Sequence, residues 1–216
     1  MRIPFVGRDK ETKRILNALD RGRNVILDGQ YGIGRTSLIR HVAKLGGDRR
    51  QFVFGDLSDT AGKACKEIYA RLGLDKKRKR FKGQRYRIAN RYPETQKGRL
   101  VVVLDNIGKL TRQKLNFVRF LVLEGNAQII AIIESFLTEK ERFLLKSTMI
   151  PAECMTLRRL DRESTYEIFY SFSQTRRPSW SEEHIELLTQ LCRGYPLSIA
   201  EKIASDRKNH AEGKTW

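Results

Sequence analysis

The chain has 216 residues, 40% of them hydrophobic, enough to bury one core of ordinary size with a small satellite and too little for two full domains. Its 43 Lys and Arg against 25 Asp and Glu leave a formal net charge of +18, so an anionic partner is expected: nucleic acid first, then an anionic membrane surface or an acidic protein. No apolar segment follows Arg2, and the longest apolar run, Ile129 to Ile133, is too short to span a bilayer, so a cytoplasmic protein, neither secreted nor membrane-embedded, is expected.

In chain order, residues 11–19 place Ile15, Leu16 and Leu19 on one helical face, and Val25-Ile26-Leu27 reads as a buried strand. A glycine-rich loop leads from there into a helix over 35–45, with Leu38, Ile39 and Val42 inward. Phe52-Val53-Phe54 predicts a second strand and 60–72 a helix. Residues 71–91 fit neither pattern: ten Lys or Arg and a single acid, Asp75, carry half the net charge, which reads as an insert of about 71–99 between core elements. Strands at 100–104 and 129–133 then alternate with helices over 111–123 and 137–147, and a fifth strand at 153–157 follows Pro151. Runs that are apolar throughout, alternating with helices, predict a parallel sheet covered on both faces, a three-layer αβα core with right-handed crossovers.

Beyond residue 157 only 3.6-period segments follow, over 161–172, 181–192 and 196–204. Asp161 and Ser181 read as N-caps, and Gly194 as the C-cap after Leu191-Cys192. The expected organisation is an α/β core over 1–157 and a small all-helical lid subdomain over 158–216, with no winged-helix reader or repeat sensor after it. Cys65, Cys154 and Cys192 are scattered and lack CxxC spacing, so neither a disulfide framework nor a zinc site is expected, and His41, His184 and His210 are assigned no chemistry.

The chemistry concentrates in Gly29-Gln30-Tyr31-Gly32-Ile33-Gly34-Arg35-Thr36-Ser37, which follows a strand and opens a helix, the setting required by the phosphate-binding G-x-x-x-x-G-K-[ST] loop. Glycines let the backbone curl and turn its N–H groups toward phosphate, and the helix N-terminus adds its positive end. Gly29, Gly32, Ile33, Gly34, Arg35, Thr36 and Ser37 are the expected contacts to ATP or ADP, with the Thr36 hydroxyl directed to Mg²⁺. Arg35 stands at the lysine position. It keeps the charge but carries a longer, planar head, so binding is expected to survive better than catalysis.

Leu100 to Leu104 ends in Asp105, a carboxylate placed to hold the water shell of Mg²⁺ opposite Thr36. Asn106 follows, where hydrolytic enzymes of this design place a glutamate. An amide orients water but accepts no proton, so slow or lost hydrolysis is expected, with Arg35, Asp105 and Asn106 as the residues that decide it.

With Pro4-Phe5-Val6-Gly7-Arg8-Asp9-Lys10-Glu11 and Gly194-Tyr195-Pro196-Leu197 added to these motifs, the chain from Phe5 to about Ala204 resembles the AAA+/STAND group of P-loop ATPases, of the origin-recognition and archaeal-ATPase kind. The resemblance implies that Val6, Gly7 and Pro196 contact the adenine side. It also implies that the polar residue sensing the γ-phosphate follows the fourth strand, at Glu134 or Ser135. Arg142, Arg158 and Arg159 are candidates for an arginine finger toward a neighbouring copy, or for surface salt bridges.

The basic stretch supplies the expected nucleic-acid contacts Lys76, Lys77, Arg78, Lys79, Arg80, Lys82, Arg85, Arg87 and Arg91, with Phe81, Tyr86 and Tyr92 interleaved where rings suit base stacking. DNA is favoured over RNA. The resulting reading is an ATP-binding protein with weak or lost hydrolysis that serves as a nucleotide-dependent assembly or DNA-transaction helper, as a homo-oligomer or with a protein partner. Two other readings stay open: a regulatory switch that binds ATP and a protein without nucleic acid, and a pseudo-ATPase whose site is only structural.

Overall fold

The computed structural model describes residues 5–47, 49–74, 80–90, 99–124, 127–175 and 180–211. They divide into two compact units, one of residues 12–30 and 35–156, the other of residues up to 11, 31–34 and from 157 on.

The first unit is built on five strands: β1 (Asn24–Asp28), β2 (Arg50–Asp56), β3 (Arg99–Ile107), β4 (Ala127–Ile133) and β5 (Ala152–Thr156). All neighbours are parallel, in the order β2-β3-β4-β1-β5. Val25, Leu27, Val101, Val103 and Ile130 point to one face, Ile26, Val102, Leu104, Ile129 and Ala131 to the other, and all ten are buried. This explains why β1, β3 and β4 read as continuous apolar runs rather than as alternating ones. The helices of this unit are α1 (Asp9–Asp20, whose first turn belongs to the second unit), α2 (Arg35–Gly46), α3 (Ala61–Arg71), α4 (Phe81–Asn90), α5 (Arg112–Glu124) and α6 (Glu139–Thr148). Thr138 and Glu141 close a reciprocal capping box at the start of α6, and Thr60 caps α3 by accepting from Lys63 N at 3.2 Å.

The basic stretch is not wholly an insert outside the fold. Residues 81–90 form α4, whose Ile88 and Ala89 are buried and whose Phe81 packs on Phe117 of α5 at a 5.8 Å centroid distance. Its inward face runs Phe81, Arg85, Ile88 and Ala89, and the position one turn after Phe81 is filled by an arginine lying over the Phe81 and Phe120 rings, 5.6 and 4.5 Å from their centroids. So narrow an apolar stripe, interrupted by a cation, is hard to separate from a solvated charge run.

The second unit packs α7 (Arg162–Ser173), α8 (Glu182–Cys192) and α9 (Pro196–Ala211) around Phe169, Phe172, Ile185, Ile199 and Ile203. Asp161 caps α7 by accepting from Ser164 N at 2.7 Å, and Ser181 caps α8 by accepting from His184 N at 3.2 Å. At the end of α8 the cap itself is Arg193, in the left-handed conformation at φ 45°, with Gly194 just beyond it at φ 70°. Gly194 admits no side chain, since a Cβ there would run into the Leu160 carbonyl.

Candidate functional site

β1 lies between β4 and β5, so the loop that leaves its carboxyl end emerges mid-sheet, with the end of β4 beside it. Gly32 and Gly34 take φ of 75° and 92°, the left-handed backbone that a phosphate-cradling loop requires and that glycine adopts without strain. Gly29 N donates to Asp28 Oδ1 at 2.7 Å at the root of the loop.

The middle of the loop belongs to the second unit, and its carbonyls are tied there. Leu197 N donates to the Gly32 carbonyl at 3.1 Å, Arg8 Nη2 to the Ile33 carbonyl at 3.3 Å, and the Tyr195 hydroxyl to the Tyr31 carbonyl. Arg8 is buried and held further by Glu11 at 2.8 Å and the Arg158 carbonyl at 2.7 Å. These ties occupy loop carbonyls and use none of the loop N–H groups. These three ties were not among the sequence-derived contacts, although Arg8, Tyr195 and Leu197 all sit inside the motifs that carried the family resemblance. Val6 packs against the helical core, Gly7 has φ 74° with no room for a side chain beside Ser164, and Pro196 opens α9 with its ring 3.9 Å from where a Gly34 Cβ would stand. Val6, Gly7, Gly32, Ile33, Gly34 and Pro196 are thus gathered in one unit.

In the first unit, the Thr36 hydroxyl donates to Asp105 Oδ2 at 2.9 Å, while Asp105 Oδ1 accepts from Asn106 N at 2.9 Å. Hydroxyl and carboxylate oxygens in this arrangement suit a hard divalent cation. Burial pushes the Asp105 carboxyl up from its ordinary value, and the Thr36 hydrogen bond, the Asn106 N–H and the Arg35 charge only partly oppose it. Asn106 is exposed at φ 57°, a left-handed conformation that asparagine tolerates. Its side chain hydrogen-bonds Asp56, the register partner of Asp105 on β2. Ser37 lies exposed in the first turn of α2.

Arg35 is engaged elsewhere. Its Nη2 meets both carboxylate oxygens of Glu134 at 2.7 Å, and its Nη1 donates to the Ile133 carbonyl. Only 6% of Arg35 and 9% of Glu134 is exposed. The strand order produces the pair: β4 runs beside β1, which places the residue after β4 beside the root of α2. Of the other arginines, Arg142 pairs with Asp28 and donates to the Ser135 and Leu137 carbonyls at 2.8 and 3.0 Å, and Arg159 lies over the Tyr195 ring at 5.5 Å.

Among the expected nucleic-acid contacts, Lys76, Lys77, Arg78, Lys79 and Arg91 lie outside the described residues, as does Tyr92. Arg80 and Lys82 are exposed. Arg85 is held over the two phenylalanine rings, and Arg87 Nη1 donates to the Tyr69 hydroxyl at 3.2 Å, so both are engaged in packing α4. Tyr86 is exposed, 6.4 Å from the Phe120 ring. Among the described residues, no three His, Cys, Asp or Glu side chains cluster as a metal site, and no helix is long and apolar enough to cross a membrane.

The family model described as "AAA ATPase domain" matches residues 4–133. The chain belongs to the AAA ATPase family. Members of this family bind nucleotide with Mg²⁺. Solved structures similar to this AAA ATPase domain include Orc1 of Aeropyrum pernix in complex with DNA, at TM-score 0.73, 12% identity and 98% of this chain covered. Cdc6p of Pyrobaculum aerophilum follows with TM-score 0.70, 14% identity and 99% covered, and a single-site variant of Thermotoga maritima RuvB with 0.63, 14% and 98%. At such identities the likeness shows the shared AAA+ fold. The chain spans 62%, 64% and 65% of the length of these three structures. No curated protein matches the chain.

Proposed function

We propose that this AAA ATPase domain binds ATP or ADP with Mg²⁺ at its glycine loop and acts as a nucleotide-dependent assembly or conformational switch in a DNA or RNA transaction. The observation that carries the nucleotide half is the Thr36–Asp105 contact at 2.9 Å, taken with the positive φ of Gly32 and Gly34. Thr36 and Asp105 are the proposed holders of Mg²⁺, which when bound offsets phosphate charge. Gly32, Ile33, Gly34 and Ser37 offer backbone or hydroxyl donors to the phosphates, while Gly29, its N–H taken by Asp28, roots the loop. Val6, Gly7 and Pro196 share a unit with loop residues 31–34 and are the proposed adenine contacts. Hydrolysis is slow, because Asn106 is an amide tied to Asp56 and Arg35 is tied to Glu134.

The nucleic-acid half is supported by the charge of residues 71–91 and by two of the similar structures, Orc1 in complex with DNA and RuvB as a Holliday junction branch migration motor. The engagement of Arg85 and Arg87 in packing favours the second reading, a nucleotide switch acting on a protein partner, since it leaves fewer cations for phosphate. Binding to DNA and RNA across a salt series separates the two. Changing Lys76, Lys77, Arg78, Lys79 and Arg80 together to Glu is expected to flatten the log–log salt slope by about 0.7 to 0.9 for each phosphate that is no longer neutralised. A five-fold variant that binds both nucleic acids with the parent's affinity and slope makes the protein-partner reading the better one.

A further inference from the structure

Arg35, the cation that the phosphate loop offers at the root of α2, already has a carboxylate. Its Nη2 bridges both Glu134 oxygens at 2.7 Å, its Nη1 is taken by the Ile133 carbonyl, and both residues are buried. Glu134 is fixed through its backbone as well, since its N–H donates to the Ile107 carbonyl at 3.0 Å at the end of β3. Asp56 and Asp105, register partners at the ends of β2 and β3, place two more carboxylates along the carboxyl edge of the sheet. The Arg35 guanidinium thus pairs with Glu134 and lends its charge to Asp105 as well.

A nucleoside diphosphate can be held by loop N–H groups, the N-terminal end of α2 and a cation at Thr36 and Asp105. A terminal phosphate brings further negative charge and requires a positive group of its own. For Arg35 to serve it, the guanidinium would have to leave Glu134, stranding a buried carboxylate beside the incoming anion. Opening the pair would break two charge-assisted hydrogen bonds from Nη2 and, if the head moves as a unit, the Nη1 bond to Ile133 with them.

We propose that Glu134 sets the nucleotide preference of this site: by keeping Arg35 as its own ion-pair partner, it favours a nucleoside diphosphate over a triphosphate. The inference rests on the nucleotide reading above and deepens it. The domain would then dwell in a diphosphate-bound state and respond weakly to a triphosphate.

The test is titration calorimetry of the full chain in Mg²⁺ with ADP and with a non-hydrolysable ATP analogue. The parent is expected to bind ADP at least about tenfold more tightly than the analogue. In Glu134→Gln the acid is gone and Arg35 is released, so the preference falls by about tenfold or reverses. Because that change leaves Arg35 without its carboxylate, a second variant, Arg35→Lys with Glu134→Asn, keeps a cation and removes the acid; it is expected to shift in the same direction. Equal or tighter binding of the analogue by the parent overturns the inference, as does an unchanged ADP-to-analogue ratio in both variants. If the parent binds neither nucleotide, the nucleotide reading itself fails and takes the inference with it.

Discussion

Arg35 and Thr36 follow one another in the chain, yet each faces a different acid and the two pairs are built to opposite rules. Thr36 donates one neutral hydrogen bond to Asp105, a carboxylate that burial disfavours and that has oxygen to offer a cation. Arg35 and Glu134 satisfy one another as a buried ion pair, with one guanidinium nitrogen on both carboxylate oxygens. The first arrangement is open to a ligand; the second is closed and supports the fold. In the proposed reading, the loop keeps its backbone geometry and its proposed Mg²⁺ holders while its cation is paired within the structure.

Removing each acid in turn is expected to separate the two pairs most widely. Glu134→Ala leaves a buried, unpaired guanidinium and is expected to destabilise the protein by about 3–5 kcal/mol in denaturant unfolding. Asp105→Ala removes a carboxylate held by neutral hydrogen bonds; unfolding in the absence of nucleotide is expected to change by less than about 1 kcal/mol. Equal losses in the two variants would mean that the pairs do not differ in kind.

A second measurement addresses the open side. With Mg²⁺ and a nucleotide at about one hundred times its dissociation constant, the parent is expected to gain about 2.7 kcal/mol of stability. Gly34→Val abolishes the gain, since φ of 92° excludes a β-branched residue, and Thr36→Ala abolishes it by removing the hydroxyl. A parent whose unfolding ignores nucleotide and Mg²⁺ would show the Thr36–Asp105 pair to be structural only.

The two pairs also differ in how far the sequence revealed them. The strand at Leu100 to Leu104 ending in Asp105, and the glycine spacing after β1, are local patterns, because strand, loop and helix lie consecutively in the chain. The Arg35–Glu134 pair spans 99 residues and depends on β4 lying beside β1, an order that hydrophobic runs do not encode. Glu134 was reachable only as one of two candidates after the fourth strand, with nothing to say that its partner would be Arg35. The helix α4 was missed for a different reason: Arg85 occupies the middle of its buried stripe and covers two rings with a cationic side chain, so composition pointed to solvent where packing holds. Caps at Asp161 and Ser181 were legible because a side-chain acceptor and the N–H three residues on are a short-range fact.

Hydrolysis offers a smaller and more specific contrast. Restoring the ammonium and the water-activating acid together, in Arg35→Lys with Asn106→Glu, is expected to raise phosphate release by at least about tenfold over a slow parent, a fraction of what a positioned general base supplies. The gain stays partial while Glu134 remains to pair with the new lysine. Brisk phosphate release from the parent would mean that the closed pair opens readily, and the distinction between the two pairs would fail there.

The smallest effect concerns the tie that holds Asn106. Burial raises the Asp56 carboxyl, but hydrogen bonds from the Ser58 backbone and hydroxyl and from the Asn106 side chain, with the Lys63 charge, outweigh it and leave the group below its ordinary value of 3.8. A depressed folded value means that the unfolded chain takes up the proton first as pH falls. The stability from this cluster is therefore fully present above about 3.8 and is lost as the pH drops through the lower folded value. Asp56→Asn removes the charge at every pH, so its unfolding curve is expected to lie slightly below the parent's at neutral pH and to meet it in acid. The gap is small because Asp56 is exposed and solvent screens it. The same substitution loosens Asn106 and leaves Arg35 on Glu134, so nucleotide preference is expected to stay where it was. A shift in the ADP-to-analogue ratio in Asp56→Asn would show that the acids at the sheet edge act as one field, and that Glu134 does not set the preference alone.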